Sequence, residues 1–231
     1  METNNEYNTK VTDEEIANGV KDVYGCIYSP DGKRLLKGNK GITSYTIKEG
    51  TEVICDYAFE WSCSLQSIVI PDSVTKIGDW AFWECSSLQS IAIPESVTKI
   101  GDWAFHGCSS LQSIVIPNSV TKIGGEAFRG CSSLQSIVIP DSVTEIGDSA
   151  FYDCESLQSI VIPESVTKIG DHAFISCRSL QSIVIPNSVT EIGYRAFEGC
   201  ESLQSIVIPN GTREHFEDLL DEEYHELLKE E

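Results

Sequence analysis

The chain has 231 residues, 41% of them apolar, and a formal charge of −20 from 36 acidic against 16 basic side chains. That charge excludes a nucleic-acid or anionic-membrane partner, since both need a basic footprint, and it suits an elongated protein whose surfaces repel one another. No stretch approaches the ~18 consecutive apolar residues of a membrane helix, so no membrane insertion is expected.

The first ten residues, METNNEYNTK, lack the apolar core of an export signal. Two readings stay open: an intracellular protein, or a secreted or cell-surface one whose signal was removed. Thr12 with Glu15 forms a capping box ahead of a short helix. YGCIYSPDGKRLLKG then sets apolar residues on both sides of a Pro-Asp-Gly turn and reads as a β-hairpin. Segment 1–41 is therefore expected to cap the first tier of a repeat array.

Residues 42–209 repeat. Leu65, Leu88, Leu111, Leu134, Leu157, Leu180 and Leu203 recur every 23 residues, a period that marks a solenoid of stacked backbone turns. A partial unit, YTIKEGTEVICDYAF, precedes them and makes about eight. In LQSIVIP the leucine and isoleucines alternate with outward Gln, Ser and Val, as in a short parallel strand. Pro71 and its equivalents lack an N–H and end the ladder at each strand's edge. SVTKIG buries Val and Ile and turns at Gly. DWAFWEC reads as one helical turn, with Asp at the N-cap and Ala, Phe and Cys inward. No unit of this size buries enough apolar surface to stand alone, so stacking supplies the rest. Beyond the last strand, Phe216, Leu219, Leu220, Leu227 and Leu228 fall at helical spacing with acids opposite. Segment 210–231 is thus expected to be an acidic amphipathic capping helix.

Cys85, Cys108, Cys131, Cys154, Cys177 and Cys200 share one slot on successive tiers. Side chains displaced by one strand spacing and aimed alike do not meet disulfide geometry, so they are expected to be buried free thiols. Ser62 takes that slot in the first tier, moving Cys63 toward the surface as the most reactive thiol; spacing does not settle the burial of Cys26 and Cys55. There is no zinc knuckle, phosphate loop, nucleophile elbow or His-Glu-x-x-His. No catalytic residue, cofactor or metal site is expected, and no enzyme.

One window varies. Between Ile-Gly and Cys lie four free positions around Ala-Phe. Asp at the first and Gly, Asp or Ser at the fourth have structural explanations. The second and third read Tyr57/Glu60, Trp80/Trp83, Trp103/His106, Glu126/Arg129, Ser149/Tyr152, His172/Ile175 and Arg195/Glu198. Three apart on a helical turn, each pair shares an outward face, so the stack presents one diversified strip. Tyr57, Trp61, Trp80, Trp83, Trp103 and His106 form its leading contact patch, and Glu126, Arg129, Tyr152, His172 and Arg195 extend it. Two bland alternatives remain: a permissive edge, or tryptophans stacked inside the solenoid. A second candidate is the strand face, where Val69, Ala92, Val115, Val138, Val161, Val184 and Val207 make an apolar stripe.

The unit CSSLQSIVIPDSVTKIGDWAFWEC, with its Pro, Ile-Gly, Ala-Phe and Cys landmarks, resembles the BspA-like, treponemal class of leucine-rich repeat over residues 42–209. The two end segments resemble ends found in that class less specifically. The resemblance implies a bacterial or protist interaction protein, often at the cell surface and not an enzyme, binding through the concave sheet. The expected fold is an α/β repeat: a leucine-rich-repeat solenoid with a parallel β-sheet face, short helical turns on the other side, and a cap at each end. The expected function is recognition or adhesion toward a protein or carbohydrate partner, by a monomer. The alternative is a structural scaffold or an array self-associating through the valine stripe.

Overall fold

The computed structural model describes residues 8–231; residues 1–7, the start of the expected N-terminal segment, lie outside the described residues. The chain coils as a parallel-strand solenoid with three sides, each bonded to its copies above and below.

The first side carries the strands read from LQSIVIP. Ser44–Thr46, Ser67–Val69, Ser90–Ala92 and their successors to Ser205–Ile208 run parallel, in a register that puts Ser67 on Ser90, Ile68 on Ile91 and Val69 on Ala92. Leu65, Ile68 and Ile70 face inward while Gln66, Ser67 and Val69 stay exposed. With the last strand of the chain this side holds nine strands, divided into sheets of five and four. The Gln158 N–H still bonds the Gln135 carbonyl at 3.3 Å across the division.

The second side is a ten-stranded sheet that includes two-residue strands such as Lys76–Ile77 and Lys99–Ile100. Two residues are too few for alternation to register, so the sequence shows only buried Val and Ile and a glycine there. The glycine is needed because rungs nearly touch. A Cβ on Gly78 would lie 2.4 Å from Asp56 Oδ1 and 2.6 Å from the Asp56 nitrogen, and one on Gly101 would lie 2.5 Å from Asp79 Oδ1.

The third side departs from expectation. The helical turns around Ala-Phe do not form; the backbone makes successive tight turns and enters the left-handed region twice per rung. The second variable position has φ between 52° and 59° in all seven rungs, and the fourth is also positive throughout, from Trp61 and Glu84 to Gly199. These reversals aim alternate N–H groups along the solenoid axis. Tyr57, Phe59 and Trp61 donate to the Asp79, Ala81 and Trp83 carbonyls at 3.0, 2.7 and 2.8 Å, and the following rungs repeat the pattern as far as His172, Phe174 and Ser176. A helical turn directs its N–H groups into itself and leaves neighbouring rungs unbonded here, which buried backbone does not tolerate.

The aspartate is accordingly not an N-cap of its own turn. Asp56 Oδ1 accepts from the Asp79 N–H of the next rung at 2.9 Å; Asp79 serves Asp102, Asp102 serves Gly125, Asp148 serves Asp171 and Asp171 serves Tyr194. Gly125 interrupts this carboxylate ladder by occupying the aspartate slot.

Identical residues stack inside. Phe59, Phe82, Phe105, Phe128, Phe151, Phe174 and Phe197 form one column with ring centroids 5.2–5.6 Å apart and planes within 9°. Beside it run the free thiols, each donating to the phenylalanine carbonyl of an earlier rung: Cys85 to Phe59 at 3.2 Å, Cys131 to Phe105 at 3.3 Å. All nine cysteines are free; Cys26 and Cys55 are buried, Cys63 is exposed. Ser62, in the thiol slot of the first rung, is fully buried with its hydroxyl unpartnered. Burial pushes Cys55 and Cys85 from 9.0 up to about 12 and drives Cys108, Cys131 and Cys154 upward too.

At the N-terminal end the capping box forms, Thr12 accepting from Glu15 N–H and Glu15 from Thr12 N–H. The hairpin strands Ile27–Tyr28 and Arg34–Lys37 pair antiparallel, and the second extends the ten-stranded sheet against Val53–Ile54. The other end differs from the expected continuous helix. It is a seven-residue helix, Arg213–Leu219, then a 3₁₀ segment, Glu222–Leu227, and a strand, Leu228–Glu230. The strand pairs with Ser205–Ile208 and occupies a sheet edge that a helix leaves open. Arg213 holds the turn by donating to the Leu228 and His225 carbonyls. Phe216, Leu220, Tyr224 and Leu228 are buried, with Tyr224 edge-on to Phe197.

The carboxylate and thiol ladders are each open to test. Gly125→Asp restores the missing carboxylate where a Cβ meets nothing closer than the Asp148 carbonyl at 3.5 Å. It is expected to raise stability by about 1 kcal/mol in denaturant unfolding, whereas Asp148→Ala lowers it by a similar amount and Asp148→Asn does not. The buried thiols stay protonated in the fold while those of the unfolded chain ionise near their ordinary value. Their contribution to stability is therefore fully present below about pH 8.5 and is lost as pH rises from 9 toward 12. A Cys85→Ala/Cys131→Ala variant should show a shallower alkaline slope.

Candidate functional site

The left-handed second position throws its side chain out from the third side, and the rung spacing places successive ones in contact. Tyr57 and Trp80 stack face to face, centroids 4.9 Å apart and planes within 2°, and Trp103 continues the column at 6.3 Å. Trp61 packs on Trp83 at 5.3 Å, and His106 contacts both Trp83 and Trp103. The structure thus joins all six residues of the expected patch. Tyr57 and Trp61 are exposed by 42% and 48%, while the other four are half-buried against one another. The tryptophans stack on the edge of the solenoid, outside the core.

Two polar atoms in this cluster, Trp83 Nε1 and His106 Nδ1, are buried without a hydrogen-bond partner among the described residues. The His106 ring lies 3.9 Å from both Glu84 and Glu126. Burial first, and Arg129 second, pull its pKa below the usual imidazole value and favour the neutral ring.

Farther along, Arg129 pairs with Glu126 at 2.8 Å and lies 4.3 Å from the centre of the Tyr152 ring. His172 meets Tyr194 edge-on, and Arg195 lies over the same ring at 4.9 Å. The first of these groups adjoins the tryptophan patch, Glu126 lying 3.9 Å from His106, while His172, Tyr194 and Arg195 form a separate group farther along. Sequence reasoning missed Tyr194, which is 61% exposed; the available signal was a tyrosine in a slot otherwise held mostly by aspartate.

Also missed was a cavity of about 720 Å³ between the N-terminal arm and the first two rungs. The Asp56 N–H bonds the Thr9 carbonyl at 2.8 Å, and the Arg34 guanidinium bonds both Glu15 and the Lys10 carbonyl. The arm so pinned forms one wall with Lys10 and Val11; Tyr57 and Trp80 border the other. Further cavities of about 460 and 340 Å³ continue along the aspartate row, around Gly125 and around Gly193. Among the described residues no group of three or more His, Cys, Asp or Glu side chains is placed to hold a metal, and no helix is long and apolar enough to cross a membrane.

The family model for the BspA type leucine rich repeat region matches in six copies over residues 32–157 and 104–218. Among solved structures, a leucine-rich repeat protein from T. pallidum is similar at 31% identity and TM-score 0.69, the match covering 84% of this chain and 92% of that one. A leucine-rich repeat protein from Eubacterium ventriosum is similar at 28% identity and TM-score 0.73; 84% of this chain is covered, and the chain spans about half, 52%, of its length. One from Bacteroides ovatus matches at 29% identity and TM-score 0.53, over 87% of this chain and 65% of that one. No curated protein matches the sequence. Family and neighbours fit a repeat-protein recognition or adhesion module in general and name no partner. The 23-residue coil with its parallel sheet face places this chain in the BspA-type leucine-rich-repeat family.

Proposed function

We propose that the protein is a non-catalytic recognition module that binds a protein or carbohydrate partner through the third side of its first rungs, around Tyr57, Trp61, Trp80, Trp83, Trp103 and His106. The supporting observation is backbone strain. Seven rungs place a residue in the left-handed region at the second position, and none uses glycine. The conformation costs roughly 1–2 kcal/mol per non-glycine residue, and for aromatic residues it is a pronounced outlier. The fourth position is equally left-handed, yet three rungs relieve it with Gly107, Gly130 and Gly199. Retaining Tyr, Trp, Glu, Ser, His and Arg where glycine relaxes the chain favours use of those side chains for contact, the usual setting of stored strain.

A second reading rests on the first side. Val138 is 70% exposed at the centre of a row that includes Val115 and Val161. Its uniformity suits lateral self-association into an array.

Ser149 tests the strain directly, because its side chain makes no hydrogen bond among the described residues that glycine loses. Ser149→Gly should raise stability by up to about 1 kcal/mol and Ser149→Ala should not, as read by denaturant unfolding. For binding, Trp80, Trp83 and Trp103 replaced together by Ser should abolish partner capture while circular dichroism shows an intact sheet. Val115→Lys with Val138→Lys should leave capture unchanged. The opposite pattern, with light scattering showing assembly that the lysines disperse, favours the array.

A further inference from the structure

We infer that the cavity beside the first two rungs is a saccharide subsite, seating one neutral pyranose of a linear oligosaccharide that continues along the aspartate row. This deepens the recognition reading above by naming the ligand class of its N-terminal end.

The walls select the chemistry. Tyr57 begins the aromatic column, and among the described residues its only ring partner is Trp80. Tyr57 is 42% exposed and borders the cavity. Val11, Ile16 and Leu36 add apolar surface to the same cavity. An aromatic face beside aliphatic side chains suits the C–H face of a sugar ring, which is apolar while its rim is hydroxylated.

The polar groups are mainly acceptors. Asp56 and Asp79 each commit Oδ1 to the next rung's N–H, and neither Oδ2 engages a side chain or backbone N–H of the described residues. Such oxygens call for donors, which hydroxyl groups supply. Charge argues against an ionic ligand. The carboxylates Asp56, Asp79 and Glu60 outnumber Lys10 and Lys37 in the same cavity by one, which with the chain's net charge of −20 disfavours an anion, while the two lysines offset most of the charge a cation would meet. Burial, the largest influence on Asp79, raises its pKa, and a hydroxyl donor relieves a desolvated carboxylate without adding charge.

Periodicity argues for a chain over a single sugar. The cavity around Gly125 is bordered by Trp103 and by the ladder members Asp102 and Asp148, and the one around Gly193 by Asp171. An extended oligosaccharide lying along the axis meets an equivalent acceptor at nearly every rung, about 4.8 Å apart.

The intact protein should be applied to an array of neutral and acidic oligosaccharides, and any neutral hexasaccharide captured should then be titrated by calorimetry. Capture of a neutral oligosaccharide is expected, weakened about tenfold or more by Tyr57→Ala and by Asp79→Asn and unaffected by Val115→Lys. Asp79→Asn keeps the oxygen that accepts from Asp102, so it tests the ligand contact without removing a rung bond. No neutral capture at millimolar concentration, capture of acidic glycans alone, or neutral capture indifferent to both substitutions overturns the inference. If the array stays blank while a protein partner is lost in the triple tryptophan variant, the recognition reading stands and the saccharide assignment falls; if both fail, both fall.

Discussion

Each rung of this coil is shaped by the requirement that it bond to the next around its whole circumference. The two sheets meet it in the ordinary parallel manner, and the third side meets it with tight turns whose alternate N–H groups point along the axis. With the register fixed at 23 residues, each residue's nearest neighbour across the gap is its own counterpart. That explains the column of phenylalanine on phenylalanine, and the recurrence of the same thiol-to-carbonyl and amide-to-carboxylate bonds from rung to rung. It also explains why glycine comes after each Lys-Ile or Glu-Ile strand, where the adjacent rung leaves no room for a Cβ.

The same requirement decides where chemistry can be displayed. On the first side outward residues sit on relaxed extended backbone, and Ser and Val repeat with little change. On the third side the bonding pattern forces left-handed backbone, and there the sequence keeps large, mixed side chains at an energetic disadvantage. Aromatic rings on three consecutive rungs then stack because the spacing brings them within contact range. A diversified edge on a monotonous frame results from one geometric rule applied to residues that differ.

Much of this was legible in the chain because a repeat reports its own geometry. The period of Leu65 and its successors announced the stacking, the alternation in LQSIVIP showed which residues face inward, and the identical cysteine slots excluded disulfides. Local conformation was harder. Asp before an Ala-Phe turn is the same signal whether the carboxylate caps its own turn or the next rung's amide, and only coordinates separate the two. The short second-side strands carry no alternation to read. The terminal segment kept helical spacing, yet the unpaired edge at Ser205–Ile208 drew Leu228–Glu230 into a strand, a tertiary demand that local pattern does not encode. The patch from Tyr57 to His106 was visible as a cluster of aromatic letters. The N-terminal cavity was not, because it depends on the Thr9–Asp56 and Lys10–Arg34 contacts between segments remote in sequence.

The central claim is that the Ala-Phe side is bonded rung to rung as firmly as the sheets, and amide hydrogen exchange on the intact protein measures it most directly. The amides of Phe82, Phe105, Phe128 and Phe151, which donate to the next rung's alanine carbonyl at 2.8 or 2.9 Å, should exchange as slowly as those of Ile91 and Ile114 in the sheet. Exchange of the phenylalanine amides at the rate of exposed loops, with the isoleucines still protected, would contradict the account.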